Sequence, residues 1–238
     1  MTVYVAGDIH GSVADIRNII AQIPNPSPDD YVIIAGDASL EYGDYIMGAC
    51  KKVMKQFPGK WIIMRGNHDN RYWRDHPDWP ITENGDFKYQ PKYPNILYVR
   101  DSGQISNIDG YDILFIPGAY SIDKYYRLQN GLPYEKEEQL TNTELVNLHL
   151  LAENFHIDFI IAHTYPISIE HFVQYLFLDG INQFEVDNAM EYHIDKILKV
   201  NNTWKHYFFG HMHDDKGDIL GKYTMLYHTV VNLDDYKD

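Results

Sequence analysis

The first seventy residues repeat one pattern, in which a short apolar run is followed by a polar turn and then by a helical stretch. The apolar runs read TVYVA, YVIIA and WIIM, and the turns after them read GDIHG, GDAS and RGNHD. Short, almost fully apolar strands that alternate with helices are typical of a parallel sheet covered on both faces. The pattern therefore predicts a βαβαβ unit and, with it, an α/β fold.

Polar side chains stand at the C-terminal end of each predicted strand, and the later strands DFIIA and HYFFG end in the same way. Ligands bind at that edge of open α/β sheets. The residues expected to converge there are Asp8, His10, Asp37, Asn67, His68, Asp69, His163, His211 and His213. Any one of them alone is explained equally well as a cap or a satisfied polar group. Five strand ends in the same topological position favour a metal site.

The spacing of the paired residues agrees with metal binding. Residues i and i+2 of an extended chain project to the same side, with Cα atoms about 6–7 Å apart. Asp8 and His10 could therefore bind one cation together. His211 and His213 could face two cations that lie about 3.5–4 Å apart.

The ordered motifs GDIHG, GD, GNHD, H and GHMH resemble those of the calcineurin-like metallophosphoesterase superfamily. The resemblance implies a four-layer αββα sandwich, in which two mixed sheets pack face to face with helices outside. The length of 238 residues predicts a single domain over 1–238, with two small domains as the alternative. The resemblance also implies two metal ions bridged by Asp37. The ligands of the first ion would be Asp8, His10, Asp37 and His213. The ligands of the second would be Asp37, Asn67, His163 and His211.

The expected reaction is hydrolysis of a phosphoester. Two divalent cations would polarise the phosphoryl oxygens and lower the pKa of a water between them, and the resulting hydroxide would attack phosphorus in line with the leaving oxygen. His68 is the candidate general acid, and Asp69 is predicted to orient its ring. A ligand set of oxygen and nitrogen without sulfur favours Mn, Fe, Zn, Co or Ni over copper and iron–sulfur centres, and Mn is the first choice among them.

Differences between these motifs and those of known subfamilies bear on the class of substrate. The chain reads GDASLEYG where serine/threonine protein phosphatases carry GDxVDRG, and GNHD carries aspartate where many relatives have glutamate, which together indicate a small prokaryotic or phage-type member. Ser121 and Arg127 in PGAYSIDKYYR, and Arg71 near the third motif, are predicted to bind substrate. A helix cap by Ser121 and a surface ion pair by Arg127 are an equally weighted alternative.

Several segments carry expectations about the fold. The aromatic stretch 70–95 is predicted to form a substrate-side loop. The apolar stretch HFVQYLFLDGINQF is a lid or a dimer contact, and the oligomeric state stays open. ILYVR, QISNI and DILFIPG predict a meander that forms the second sheet, and GKYTMLYHTVV predicts one closing strand.

Charge limits the class of substrate. Thirty-four acidic residues against 20 basic ones give a formal charge of −14. Because such a field repels polyanions, the expected substrate is a small phosphoester, either a diester or a monoester, rather than extended nucleic acid. A metal-dependent nuclease and a non-catalytic scaffold that binds a protein partner stay open as alternatives.

The cellular setting is predicted from cysteine content and hydropathy. The single cysteine, Cys50, excludes an intramolecular disulfide, and no apolar run approaches 18 residues. The N-terminus has no basic region ahead of an apolar stretch. We therefore expect a cytoplasmic protein without a membrane span.

Overall fold

The computed structural model describes residues 1–40, 44–132, 134–173 and 186–237. Most of the stretch for which the sequence suggested a lid or a dimer contact, residues 174–184, lies outside these ranges. None of the helices in the described ranges is long and apolar enough to cross a membrane.

The strands and helices alternate along the first half of the chain, as the sequence pattern predicts. The β-strands are β1 (Val3–Ala6), β2 (Tyr31–Ile34), β3 (Lys60–Ile63), β4 (Lys88–Gln90), β5 (Tyr93–Tyr98), β6 (Gln104–Ile108), β7 (Tyr111–Ile116), β8 (Phe159–Ala162), β9 (His206–Phe209), β10 (Lys216–Ile219), β11 (Tyr223–Met225) and β12 (Val230–Asn232). The α-helices are α1 (Val13–Gln22), α2 (Asp44–Met54), α3 (Tyr72–Asp75), α4 (Lys124–Asn130), α5 (Asn142–Asn154) and α6 (Ala189–Val200). Short 3-10 helices lie at Ile167–Phe172 and Leu233–Tyr236.

Two six-stranded mixed sheets share one design. The first has the order β12-β1-β2-β3-β5-β4, and the second has the order β10-β11-β9-β8-β7-β6. In each sheet the four central strands are parallel, and an antiparallel strand closes each edge. The C-terminal ends of four parallel strands therefore meet at one edge of each sheet.

The sheets pack face to face, and the helices cover their outer faces. One apolar cluster between the sheets joins Val5 of β1 and Ile33 of β2 to Phe159 of β8 and Phe208 of β9. A second cluster lies under α1 and α2, and a third lies under α5 and α6. Strand residues alternate between these clusters because successive side chains of a strand point to opposite faces. The predicted four-layer sandwich is confirmed.

Capping residues begin two of the covering helices, α1 and α5. The Ser12 side chain accepts a hydrogen bond from the backbone N–H of Asp15 at the start of α1. Thr141 and Glu144 form a capping box at the start of α5, in which each side chain accepts from the backbone of the other. Such caps satisfy backbone N–H groups that have no partner within the helix.

The predicted meander is divided between the two sheets. The strand β5 pairs with β3 in the first sheet, whereas β6 and β7 form a hairpin in the second. Ile96 of β5 packs under the helices of the first sheet, and Leu97 packs between the sheets. Burial on both faces is typical of a strand inside a parallel sheet, which explains why β5 does not continue into the hairpin.

The predicted closing strand is two strands, β11 in the second sheet and β12 in the first. The carboxylate of Asp215 accepts hydrogen bonds from the backbone N–H groups of Tyr227, His228 and Thr229. Because these N–H groups are paired with a side chain, the chain cannot continue as one strand between β11 and β12.

The stretch 70–95 holds α3, β4 and the first residues of β5. Residues 81–84 at its tip line a cavity with Tyr31 and Lys60, which begin β2 and β3. That edge of the sheet lies opposite the strand ends that carry the candidate ligands. The expected substrate-side position of this loop is therefore contradicted for its tip.

Candidate metal centre

The predicted ligands follow the C-terminal ends of β1, β2 and β3 in the first sheet and of β8 and β9 in the second. Contacts between the sheets bring them together. Nδ1 of His163, after β8, lies 2.8 Å from the carbonyl oxygen of Ala35, after β2. The backbone N–H of His211, after β9, donates to the carboxylate of Asp8, after β1, at 3.0 Å. The packing of the two sheets thus builds one site from both.

The first candidate group joins Asp8, His10 and His213, whose ligand atoms all lie within 4.8 Å of one another. The Nε2 atoms of the two histidines are 2.8 Å apart. Oδ2 of Asp8 lies 3.6 Å from Nε2 of His10 and 3.3 Å from Nε2 of His213. Two imidazole nitrogens and a carboxylate oxygen therefore face a common point.

The second candidate group joins Asp37, His163 and His211 within the same 4.8 Å limit. Nε2 of His163 lies 3.4 Å from Oδ2 of Asp37 and 2.8 Å from Oδ1 of Asn67. Asn67 therefore presents its carbonyl oxygen beside this group, as the resemblance implied. A bridging role of Asp37 between the two groups stays a prediction.

Hydrogen bonds behind the second group orient its ligands. Nδ1–H of His163 donates to the carbonyl of Ala35, which leaves Nε2 as the ring nitrogen that faces Asp37. The side-chain amide of Asn67 donates to Oγ of Ser121 at 2.9 Å, which leaves its Oδ1 toward His163. Partners of this kind fix the orientation of metal ligands in proteins.

Several of the candidate ligands have an uncommon backbone conformation. Four of them have positive φ, namely His10 (42°), Asp37 (48°), His211 (70°) and His213 (53°). Residues with a side chain seldom adopt this left-handed region, and those that do cluster at functional sites, where surrounding structure offsets the strain. The loops after three of the strands are therefore held in conformations that propensity alone would not select.

Two glycines allow the backbone to approach the ligands closely. A Cβ atom at Gly66 would overlap Oδ1 of Asp37 and crowd the ring of His163, and one at Gly36 would overlap that same ring. Gly36 also has φ of +105°, which favours glycine over every other residue. The glycines of GD and GNHD are required by the space around the ligands.

The electrostatics of the site favour positive charge. Burial acts to raise the pKa of Asp8, but hydrogen bonds from His10 and His213 outweigh it and lower the pKa below its usual value. Burial acts to lower the pKa of His163, yet the charge of Asp37 raises it to about 9. Burial lowers the pKa of His211 to about 3, which keeps a lone pair available on its ring. Two buried carboxylates with converging imidazoles fit divalent cations held by oxygen and nitrogen.

His68 lies beside the groups, but Asp69 does not orient it. Nε2 of His68 is 3.2 Å from the amide nitrogen of Asn67 and 3.4 Å from Nη2 of Arg127. The Asp69 carboxylate accepts from Tyr72 Oη and from the backbone N–H groups of Ala38, Ser39 and Gly66. The predicted Asp69–His68 contact is therefore wrong, since backbone N–H groups of two ligand loops donate their hydrogen bonds to the Asp69 carboxylate. Asp69 instead ties the GD loop to the GNHD loop.

The predicted substrate residues divide into two kinds. Arg127 reaches His68, and its Nε donates to the carboxylate of Asp123 at 2.7 Å. Ser121 is buried against Asn67. Arg71 is not brought to the site, because its guanidinium donates to the carboxylate of Glu144 and to backbone carbonyls at positions 137 and 139.

The sequence reasoning missed Tyr227. Its ring lies nearly parallel to that of His213, at a tilt of 16° and a centroid distance of 5.0 Å. Tyr227 falls within the segment that the sequence predicts as one closing strand, and it carries no local motif. Its ring reaches the candidate metal centre because the predicted strand is divided into β11 and β12, and Tyr227 lies in the segment between them.

Comparisons with known proteins agree with this geometry. The family model described as calcineurin-like phosphoesterase matches residues 1–215. The chain belongs to this family. A search of the curated proteins finds no match.

Three solved structures resemble the chain at low sequence identity. They are the protein AQ665 of Aquifex aeolicus (13% identity, TM-score 0.49, covering 98% of this chain and 96% of that one), phosphopantetheinyl hydrolase PptH of Mycobacterium tuberculosis (12%, 0.50, 95% and 88%), and TT1561 of Thermus thermophilus (12%, 0.50, 97% and 96%). At such identity the likeness to the last two shows the fold alone.

Proposed function

We propose that this protein is a phosphoester hydrolase that works with two divalent cations. The observation that supports this most strongly is the convergence of two groups, each of one carboxylate and two imidazoles, at strand ends from both sheets. Such oxygen and nitrogen donors suit Mn, Fe, Zn, Co and Ni, and Mn is the ion that we propose first. When bound, the cations would polarise a phosphoryl group and acidify a water for attack on phosphorus.

The residues around these groups would bind the phosphoryl group, protonate the leaving oxygen and orient a ligand. Arg127, anchored by Asp123, would bind a phosphoryl oxygen through its planar fork of N–H donors. His68 would give a proton to the leaving oxygen, since an alkoxide leaves poorly. Arg127 Nη2 lies 3.4 Å from His68 Nε2, which supports the idea that both side chains contact the same phosphoester group. Ser121 would act through Asn67, by holding its carbonyl oxygen toward the second group.

The proposed substrate is a small phosphodiester or phosphomonoester. A formal charge of −14 opposes the approach of a long polyanion. Arg127, in the short helix α4, reaches His68 beside the two groups. A single guanidinium suits one phosphate better than an extended nucleic-acid backbone, which proteins bind through many basic contacts.

The test compares bis-p-nitrophenyl phosphate with p-nitrophenyl phosphate, each offered to metal-stripped protein and then to protein with Mn²⁺ restored. We expect turnover only after Mn²⁺ is restored, and the ratio of the two rates assigns the diester or monoester class. An Asp8→Asn variant serves as the control for adventitious metal hydrolysis. Absence of turnover on both esters in protein with two bound ions would contradict the proposal and favour a scaffold that binds a protein partner.

A further inference from the structure

The segment that joins β11 to β12 passes directly over the strand ends that carry the first candidate group. The backbone N–H of Leu226 donates to the carbonyl of Phe209, the last residue of β9, at 2.8 Å. A side chain at Gly7, just before Asp8, would overlap the carbonyl of Leu226. The crossing segment is therefore packed against the loop of Asp8 and the loop of the GHMH motif at once.

A carboxylate two residues after the second histidine of that motif holds the segment in place. Asp215 accepts from the backbone N–H groups of Tyr227 at 2.8 Å, His228 at 3.0 Å and Thr229 at 3.0 Å. Three charge-assisted hydrogen bonds to one carboxylate fix the direction of the backbone at Tyr227. The loop that bears His213 thus determines where the Tyr227 ring lies.

The Tyr227 ring contacts two imidazoles. It is stacked on His213 at a tilt of 16°, and its centroid is 4.0 Å from that of His228. The side chain of His213 is 40% exposed, whereas that of His163 is fully buried and hydrogen-bonded through Nδ1. In the described part of the chain, the polar and ring contacts of His213 are with Asp8, His10 and Tyr227. Of these three, Tyr227 alone stands outside the first candidate group.

We infer that Tyr227 is a positioning residue for His213, and that Asp215 anchors it. By stacking on one face of the imidazole, Tyr227 limits rotation of the ring and keeps Nε2 directed toward Asp8 and His10. The ring would then be ordered before a cation arrives, and less conformational freedom would be lost on binding. This inference rests on the proposed function in one respect, namely that the first group binds a divalent cation.

The test measures Mn²⁺ binding to metal-stripped wild-type protein and to three variants by isothermal titration calorimetry, with metal content checked by elemental analysis. We expect Tyr227→Ala to lower the affinity for one of the two ions roughly tenfold, which is the lower end of the range for residues that support metal ligands. The affinity for the other ion should stay within about twofold of wild type. Tyr227→Phe keeps the stacked ring and should bind both ions within about twofold of wild type. Tyr192→Ala removes an exposed tyrosine from α6, away from the site, and is the matched control.

A readout without metal completes the test. In the stripped protein, the ring protons of His213 should show an upfield ring-current shift in NMR spectra that is lost in Tyr227→Ala and kept in Tyr227→Phe. Circular dichroism and thermal unfolding establish that the alanine variant is folded; if it is not, Tyr227→Leu takes its place. Two ions bound by the folded variant as tightly as by wild type would overturn the inference, as would equal losses in the phenylalanine and alanine variants.

The inference and the proposed function can fail separately. Two bound ions in wild type with the expected effect of Tyr227→Ala, but without phosphoester hydrolysis, would overturn the function and support the positioning role. Active wild-type protein with unchanged binding in the alanine variant would do the reverse.

Discussion

The two candidate metal groups contain the same residue types but differ in their surroundings. In the group of Asp37, His163 and His211, the side chain of His163 is fully buried, that of Asp37 is 1% exposed, and His211 is half-buried. In the group of Asp8, His10 and His213, the two histidine side chains are 31% and 40% exposed. We name these the enclosed group and the open group.

Different interactions order the two groups. Ligands of the enclosed group are held by hydrogen bonds to backbone carbonyls and to buried side chains, as with His163 to Ala35 and Asn67 to Ser121. The histidines of the open group contact each other, and His213 also contacts Tyr227. From this difference we predict that the enclosed group is the more rigid of the two, and that solvent reaches the centre from the open side.

Asp37→Asn should have the largest effect on the centre. A neutral amide binds a divalent cation more weakly than a carboxylate does, so we expect the variant to lose at least one ion. Loss of about 4 kcal/mol of transition-state stabilisation corresponds to a rate lower by on the order of 10³-fold. Elemental analysis and hydrolysis of bis-p-nitrophenyl phosphate measure the two effects. Full occupancy by two ions would show that Asp37 is not an essential ligand.

His68→Ala tests the chemistry on the open side. If His68 protonates the leaving oxygen, its loss should slow hydrolysis of alkyl phosphoesters about 10²-fold or more, with little effect on p-nitrophenyl esters, whose leaving group needs no proton. Metal content should not change. An equal loss for both kinds of ester, or a loss of metal, would assign His68 a structural role instead.

Glu191→Gln tests the protonation state of a buried carboxyl group that contacts the residue next to His163. Glu191 is buried, and it accepts from the hydroxyl of Thr164, the residue after His163. Burial raises its pKa to about 7. The folded protein therefore keeps a proton that the unfolded chain loses above about pH 4.5, so this contribution to stability is present below that pH and is lost as pH rises through about 7.

The amide variant has no such proton. Because all other titrating groups are shared, the difference between wild type and variant isolates the contribution of Glu191. From pH 5 to pH 8, the free energy of unfolding of wild type should fall relative to the variant by up to about 3 kcal/mol. Urea unfolding in EDTA at the two pH values measures this. A difference that does not change with pH would mean that Glu191 is ionised in the folded protein.

His163→Ala and His213→Ala compare the two groups directly. Removing His163 takes one buried partner from Asp37 and one from Asn67, which should cost about 2 kcal/mol of stability in the metal-free protein. Removing the partly exposed His213 should cost less than about 0.5 kcal/mol. Urea unfolding in EDTA provides both values. Equal costs would remove the distinction between an enclosed and an open group.

Much of the centre could be predicted because its signals are local. Apolar strands followed at once by GD, GNHD or GHMH identify which side chains stand at strand ends, and the parallel topology brings those ends to one edge. The positions of Asp8, Asp37 and His163 follow from these two facts.

The errors concern contacts between residues that are distant in sequence or that compete for one partner. Asp69 is adjacent to His68, but backbone N–H groups of the GD loop, some thirty residues earlier, bind its carboxylate. Arg71 lies near the third motif, yet it pairs with Glu144 at the start of α5. The division of the closing strand depends on Asp215, twelve residues before Tyr227. Strand-end motifs carry no information on these pairings.

The most direct test of a two-cation centre is anomalous diffraction at the manganese edge from crystals of the Mn²⁺-loaded protein. We predict two peaks, one contacted by Asp8, His10 and His213 and one contacted by Asp37, Asn67, His163 and His211, with the higher occupancy at the enclosed group. A single peak, or a pair of peaks away from these residues, would contradict it.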